Sequence, residues 1–262
     1  MTSSNLFQII IFTIKDVSRS KWIFMYGLLQ LIIIQMLFYF SSDPDKTIVS
    51  LLNLSLILNP VVSLIFSTIY LYNSREFIEL LLSHPIKRSN IFFGLYFGLT
   101  ITLNLIFSLG LGLPFIFNTP ENISVLLLLL LSGILLTFIY TAISIYLVHK
   151  IDDKAAGLGV AIIIWFFFAV VYDGILLIAT YIFSDYPLEM PMIIASVFNP
   201  IDLGRISVML KLNLAALMGY TGAVFEKFFG SNTGIFVTIT GLCLWIAIPL
   251  TLGLRIFKKK DF

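Results

Sequence analysis

The run FFFAVVYDGILLIAT sets a single carboxylate, Asp173, among uncharged residues. An acid at such a place costs about 2.5–3.5 kcal/mol to insert into a bilayer, so it faces a bundle interior or a wet cavity and is a functional candidate. The alternative is structural: a hydrogen bond to a neighbouring helix, from Tyr172 or from a serine of the second apolar run. Few other side chains are spaced for chemistry. His84 and His149 fall in different loops at one face, and two such residues make a poor metal site; they read as interfacial side chains. Met190, Met192, Met209 and Met218 carry the soft sulfur that copper favours, but only the first two are close in sequence, and packing is the plainer reading. Cys243 is the one cysteine, which leaves no intrachain disulfide and no cysteine-based zinc site. The sequence has no G-x-x-x-x-G-K-[ST] phosphate loop, no H-E-x-x-H zinc helix and no G-x-S-x-G nucleophile turn. The expectation is a chain with no ATPase site, catalytic residue, cofactor or metal of its own.

The second notable stretch is REFIELLLSHPIKRSNIF, Arg75 to Phe92. Acidic residues Glu76 and Glu79 come early, and Lys87 and Arg88 come late, as a helix dipole favours. Pro85 stops the helix, because the residue before proline avoids helical angles. Five large apolar residues, Phe77, Ile78, Leu80, Leu81 and Leu82, are too many for a loop in water alone. They must cover lipid, the bundle or another protein. The residues 73–90 therefore read as a short helix held at a membrane face, able to present side chains to a partner.

The elements that position these groups follow from composition. The chain has 262 residues, of which 59% are hydrophobic and 11% charged, far below the charge of a soluble domain. Six runs are long enough to span a bilayer: residues 22–40, 47–72, 91–117, 123–148, 158–183 and 234–257. Residues 1–21 are not a secretory signal, because Lys15, Arg19 and Lys21 follow the apolar stretch instead of preceding it. Leu6, Ile10, Ile14 and Val17 repeat at helical spacing, which predicts an amphipathic surface helix. With the N-terminus inside, twelve of the sixteen Lys and Arg residues fall on the cytoplasmic side; only Lys46, Arg205, Lys211 and Lys227 fall outside. That asymmetry favours both termini in the cytoplasm. The uncharged run 212–225 is too short for a seventh span. It belongs to an extracytoplasmic insertion, residues 184–233. Within it Asp202 and Arg205 are spaced to pair on one helix face. Ala215, Gly219 and Ala223 form a small-residue stripe that admits a close neighbour. Two short helices capping the outer mouth are expected, serving as a partner platform or as a passive plug.

The loop REFIELLLSHPIKRSNIFFGLYFG resembles the E-x-L-L-x-P-x-x-R loop of the ABC-2 class of ATP-binding-cassette permeases. In that class the loop is a coupling helix docked on the ATPase subunit. The resemblance implies that Arg75, Glu76, Glu79, His84, Pro85, Lys87 and Arg88 meet that subunit, and that residues 1–21 are an elbow helix. The segment NPIDLGRISVMLKLNLAALMGYTGAVF, with the YDG of the fifth span, is similar to the NosY-type members of the class, the permeases of NosDFY transporters. Its anchors are Asn199, Pro200, Asp202 and Arg205 together with Gly219, Tyr220, Thr221 and Gly222, which the resemblance makes a platform for a periplasmic partner.

The expected architecture is therefore an all-α integral membrane domain of six spans with an elbow helix, a coupling helix and short outer helices. The implied function is a permease of a bacterial inner membrane. The resemblance implies a homodimer of this chain bound to a separate cytoplasmic ATPase (NosF-like), which binds ATP and Mg, and to a periplasmic protein (NosD-like). Together they serve copper–sulfur centre assembly of nitrous oxide reductase. Two rivals differ in class: an ABC-2 exporter of a lipid, peptide or drug, and an integral-membrane enzyme or structural anchor. The enzyme needs a second polar catalytic group near Asp173; genomic neighbours separate the others.

Overall fold

Long apolar runs leave backbone polar groups nowhere to bond in lipid except within a helix, and the chain resolves that constraint as helices throughout. The computed structural model describes residues 2–41, 44–118, 123–186, 188–209 and 232–260, and no strand occurs among them. The elements are α1 (Thr2–Ser18), α2 (Lys21–Phe40), α3 (Pro44–Asn73), α4 (Arg75–Leu82), α5 (Arg88–Asn118), α6 (Ile123–Lys150), α7 (Lys154–Phe166), a π-helical turn (Phe167–Val171), α8 (Tyr172–Ile182), α9 (Glu189–Val197), α10 (Pro200–Met209) and α11 (Asn232–Lys259). Six of them, counting α7 through α8 as one, are long and apolar enough to cross a membrane. The alternation gathers Lys21, Asn73, Arg88, Lys150, Lys154 and Lys259 at one end of the bundle, the basic end.

The boundaries shift by a few residues for local reasons. Lys21 belongs to α2, not to the surface helix. The fifth span starts at Lys154 because Asp153 caps it, its carboxylate accepting from Ala156 N at 2.6 Å. The sixth begins at Asn232.

The core lies chiefly between α3 and α6, where buried Leu56, Leu64, Leu136 and Ile139 pack beside polar ties. Asn59 Nδ2 donates to Gly133 O at 2.7 Å, and the Thr68 and Ser144 hydroxyls meet at 3.0 Å. A second cluster fills the basic end, around Leu71, Ile78, Phe92 and Phe257. The surface helix α1 packs on α5 through Ile9, Thr13 and Val17, all buried and four apart. Gly94 and Gly98 receive it: a Cβ on Gly94 would lie 2.6 Å from Ile9 Cγ2, and one on Gly98 2.5 Å from Thr13 Cβ. Two glycines four apart let the helices approach closely, so α1 is fixed to the bundle as well as amphipathic. The expected stripe at 215, 219 and 223 lies outside the described residues.

Candidate functional site

At the basic end, α4 is a short amphipathic helix with a divided surface. Ile78 is buried in the inner cluster, Leu81 and Leu82 pack on it, and Phe77 stacks on Phe12 of α1 with ring centres 4.6 Å apart. These contacts account for four of the five apolar residues of the loop. The fifth, Leu80, is 57% exposed. It shares the outer surface with Glu76, Glu79, His84, Pro85 and Lys87, all exposed. The helix ends at Leu82, where Ser83 Oγ donates to Leu80 O at 2.7 Å and His84 Nδ1 lies 2.9 Å from the same oxygen.

The two arginines of the loop turn the other way. Arg75 Nη2 reaches Ile151 O at 3.4 Å and the Asp152 carboxylate at 3.7 Å, in the loop between α6 and α7. Arg88 Nη1 donates to the carbonyls of Phe257, Lys258 and Lys260 at 3.2, 3.1 and 2.6 Å. Lys260 joins the two places, pairing with Asp152 and donating to His149 O at 3.2 Å. Its hydrogen bond and charge hold the Asp152 carboxyl below the usual range. His149 is not an interfacial side chain: it is buried, its ring edge-on to Phe257 at 4.8 Å and its Nδ1 on Ile145 O. Of the seven residues expected to meet an ATPase subunit, five lie outward and Arg75 and Arg88 are engaged within the chain.

The far half of the bundle holds the second site. Asn199 caps α10: its Oδ1 accepts from Ile201 N at 3.0 Å, and Pro200 occupies the first helical position, where a missing N–H costs nothing. Asn199 Nδ2 donates to Asp202 Oδ2 and to Phe168 O, each at 3.0 Å. Phe168 belongs to the π-helical turn of the fifth span. Just beyond that turn Asp173 Oδ2 accepts from Arg205 Nη1 at 3.0 Å, and the same nitrogen lies 3.2 Å from Asp202 Oδ1. Asp202 and Arg205 thus pair as their spacing predicts, and Arg205 is also the partner of Asp173, in place of Tyr172 or a second-span serine. Tyr172 instead donates to Ala195 O of α9 at 2.6 Å. Burial and the Asp173 charge push the Asp202 carboxyl up to about 7, against the pull of Arg205 and Asn199.

These helices sit deeper than a cap over the mouth. Ser132 Oγ donates to Gly204 O at 3.3 Å. Ser132 lies nine residues into α6, about 14 Å along it at 1.5 Å per residue. A Cβ on Gly204 would meet Leu56 and Leu136 at 3.4 and 3.5 Å, and Trp245 Nε1 donates to Val197 O at 3.3 Å. Asn199 and Asp202 are buried here against the neighbouring helices. Gly219, Tyr220, Thr221 and Gly222 lie outside the described residues.

Six apolar spans, a helix packed on the third of them, and a short polar-faced helix after the second describe a multi-pass membrane protein. Residues 34–262 match the ABC-2 family transporter protein, and the chain belongs to that family. It is the multi-pass permease subunit of an ABC transporter, a class that works with an ATPase partner. Two curated relatives narrow the resemblance. A probable ABC transporter permease protein NosY of Stutzerimonas stutzeri is 27% identical over 236 residues, covering 84% of this chain and 82% of its own. The NosY of Pseudomonas aeruginosa is 25% identical over 226 residues, covering 82% and 78%.

Proposed function

We propose that the chain converts ATP hydrolysis by a separate cytoplasmic, NosF-like subunit into movement of its own spans. This work supports assembly of the copper–sulfur centres of nitrous oxide reductase through a NosD-like periplasmic partner. On this reading the basic end is cytoplasmic, the bacterial inner membrane is the site, and two copies of the chain act together. The nearly bare flank of the fifth span, 6% buried against 50–61% for the second to fourth, leaves room for a second copy. ATP and Mg bind the partner subunit.

The divided surface of α4 carries the reading. Ile78 and its neighbours seat the helix in the bundle, while Glu76, Glu79, Leu80 and Lys87 present charge around an exposed leucine. Such a surface fits a protein better than lipid, because acids flank its only large apolar side chain. Closure of an ATPase pair against α4 biases a two-state bundle from inside. The test is co-purification with a NosF-type ATPase of the same organism after Glu79→Lys with Leu80→Glu. Loss of the ATPase with the permease still folded supports the reading, and undiminished retention removes α4 as the contact. Complementation of a strain lacking its own permease, read as spectroscopically intact nitrous oxide reductase, tests the cargo; full maturation without this chain overturns it.

A further inference from the structure

We infer that Arg88 is a positioning residue that hands the movement of α4 to the last span, making α11 the lever between the ATPase-facing surface and the sunken helices at the other end. The inference rests on the proposed docking of an ATPase at α4 and adds the route that the work takes.

The geometry is that of a clamp. The last carbonyls of a helix have no partner within it, and its C-terminus carries partial negative charge. Arg88 meets both needs on α11, with one nitrogen on the carbonyls of Phe257 and Lys258 in the final turn and of Lys260 just beyond it. Arg88 is also the first residue of α5, six residues beyond the end of α4. The turn between them is short, since Ile86 N bonds to His84 O at 2.6 Å and Asn90 N to Lys87 O at 2.8 Å. A shift of α4 therefore pulls on the end of α11 directly. The other end of α4 is tied through Arg75 to Ile151 and Asp152, and Lys260 links Asp152 back to the same tail. Between them is a cavity of about 200 Å³ lined by Arg75, Ile78, Glu79, His149, Asp152 and Lys260, among others, which gives α4 room to move.

At its far half α11 touches what has to move. Trp245 Nε1 holds Val197 O, and Gly241 lies where a Cβ would be 3.1 Å from Leu203. Val197 ends α9 and Leu203 lies in α10. One continuous helix therefore joins the Arg88 clamp to both sunken helices, with Pro249 between the two contact regions, the position at which an interior proline lets a helix bend.

The test uses the complex with its ATPase subunit. Spin labels at Phe236→Cys and Ser124→Cys, in a Cys243→Ser background, report the outer end of α11 against α6. Wild type is expected to show a nucleotide-dependent distance change, and Arg88→Gln is expected to keep the ATPase bound while reducing that change at least threefold. Arg88→Lys, which keeps charge at the helix end but loses the planar fork, is expected to fall between them and guards against misfolding of the glutamine variant. Full change in either folded variant overturns the inference. So does an unmoving α11 in wild type, or release of the ATPase by the lysine variant, which would place Arg88 on the docking surface. Failure of wild type to bind the ATPase at all overturns the proposed docking instead, so the two readings fail separately.

Discussion

Asp173 of the fifth span and Arg205 of α10 lie 3.0 Å apart, oxygen to nitrogen, across 32 residues of chain. The pair is partly buried, with side-chain exposures of 29% and 23%, so it turns a costly intramembrane acid into a fastening. Arg205 shares one nitrogen with Asp202, and two carboxylates around one guanidinium leave the group sensitive to the loss of any member.

Asp173→Asn keeps shape and removes charge. It is expected to cost about 2 kcal/mol, the order for depriving a buried charged group of its partner. Arg205→Gln is expected to cost a similar amount, and the double variant less than their sum, because the two act as a unit. Thermal unfolding in detergent measures all three. Additive effects would show that the contact carries no energy. On the functional reading, Asp173→Asn also lowers nitrous oxide reductase maturation with the ATPase still bound, and full activity would leave Asp173 a structural role alone.

The surroundings of Asp202 imply a pH dependence of definite sign. Its carboxyl rises from 3.8 to about 7 in the folded chain. The folded state then holds a proton that the unfolded state has released. Stability from this group is full below the ordinary carboxylate range, falls as pH rises through the interval up to about 7, and is level above it. The groups facing it are Asp173 and Tyr172 of α8, Tyr140 of α6, and Arg205 and Asn199 beside it on the chain. Hydrogen exchange of Pro200–Met209, corrected for intrinsic rates, is expected to be slower at pH 5.5 than at pH 8 by roughly tenfold, about 1.4 kcal/mol. Asp202→Asn is expected to abolish the difference. A wild type equally protected at both pH values would refute the shift.

The six spans are legible in the sequence because length and hydropathy determine them locally. The helix α4 is legible because Pro85 and the order of charges mark a short helix from within. The partners of the charged groups are not. Nothing near Asp173 in sequence points to Arg205, and nothing near Arg88 points to carbonyls 169–172 residues away. Both arginines were legible as charges at helix faces, but their direction depends on how distant helices pack. The Gly94 and Gly98 seat of α1 was hidden in a long apolar run, where glycine reads as any small residue. The depth of α10 was hidden for the opposite reason: its Asp and Arg read as surface residues, though they satisfy each other inside. Only Asn199-Pro200, a cap followed by a first-turn proline, was a local signal there, and it marks a helix start without telling how deep the helix lies.

The α1 seat gives a steric prediction. Gly98→Leu forces a side chain into Thr13, whose Cβ lies 2.5 Å from the built position. Overpacking of this kind costs about 1–3 kcal/mol. Because α1 also touches α4 through Phe12 and Phe77, the expected result is protease sensitivity near Ser18–Lys21 and weaker ATPase retention, with the other spans intact. Gly112→Ala on the same helix, where an added Cβ meets nothing within 4 Å, serves as the control and is expected to behave as wild type.

Asn199 does two jobs that substitution can separate. Its oxygen caps α10 and its amide nitrogen binds Phe168 O in the π-helical turn. Such turns displace a carbonyl from its regular ladder, and a buried carbonyl without a donor is expensive. Asn199→Ala loses both contacts and is expected to cost about 2 kcal/mol, toward the upper end for a cap. Asn199→Asp keeps the capping oxygen but cannot donate to Phe168, and it sets a new carboxylate beside Asp202. It is therefore expected to be at least as damaging as alanine at pH 8 and to recover toward wild type at pH 5.5, where that pair takes up a proton. Asn199→Ser keeps a cap without reaching the π turn and is expected to fall between wild type and alanine at both pH values. Thermal unfolding at the two pH values gives the order, and an aspartate variant insensitive to pH would mean that residue 199 does not face the carboxylate group.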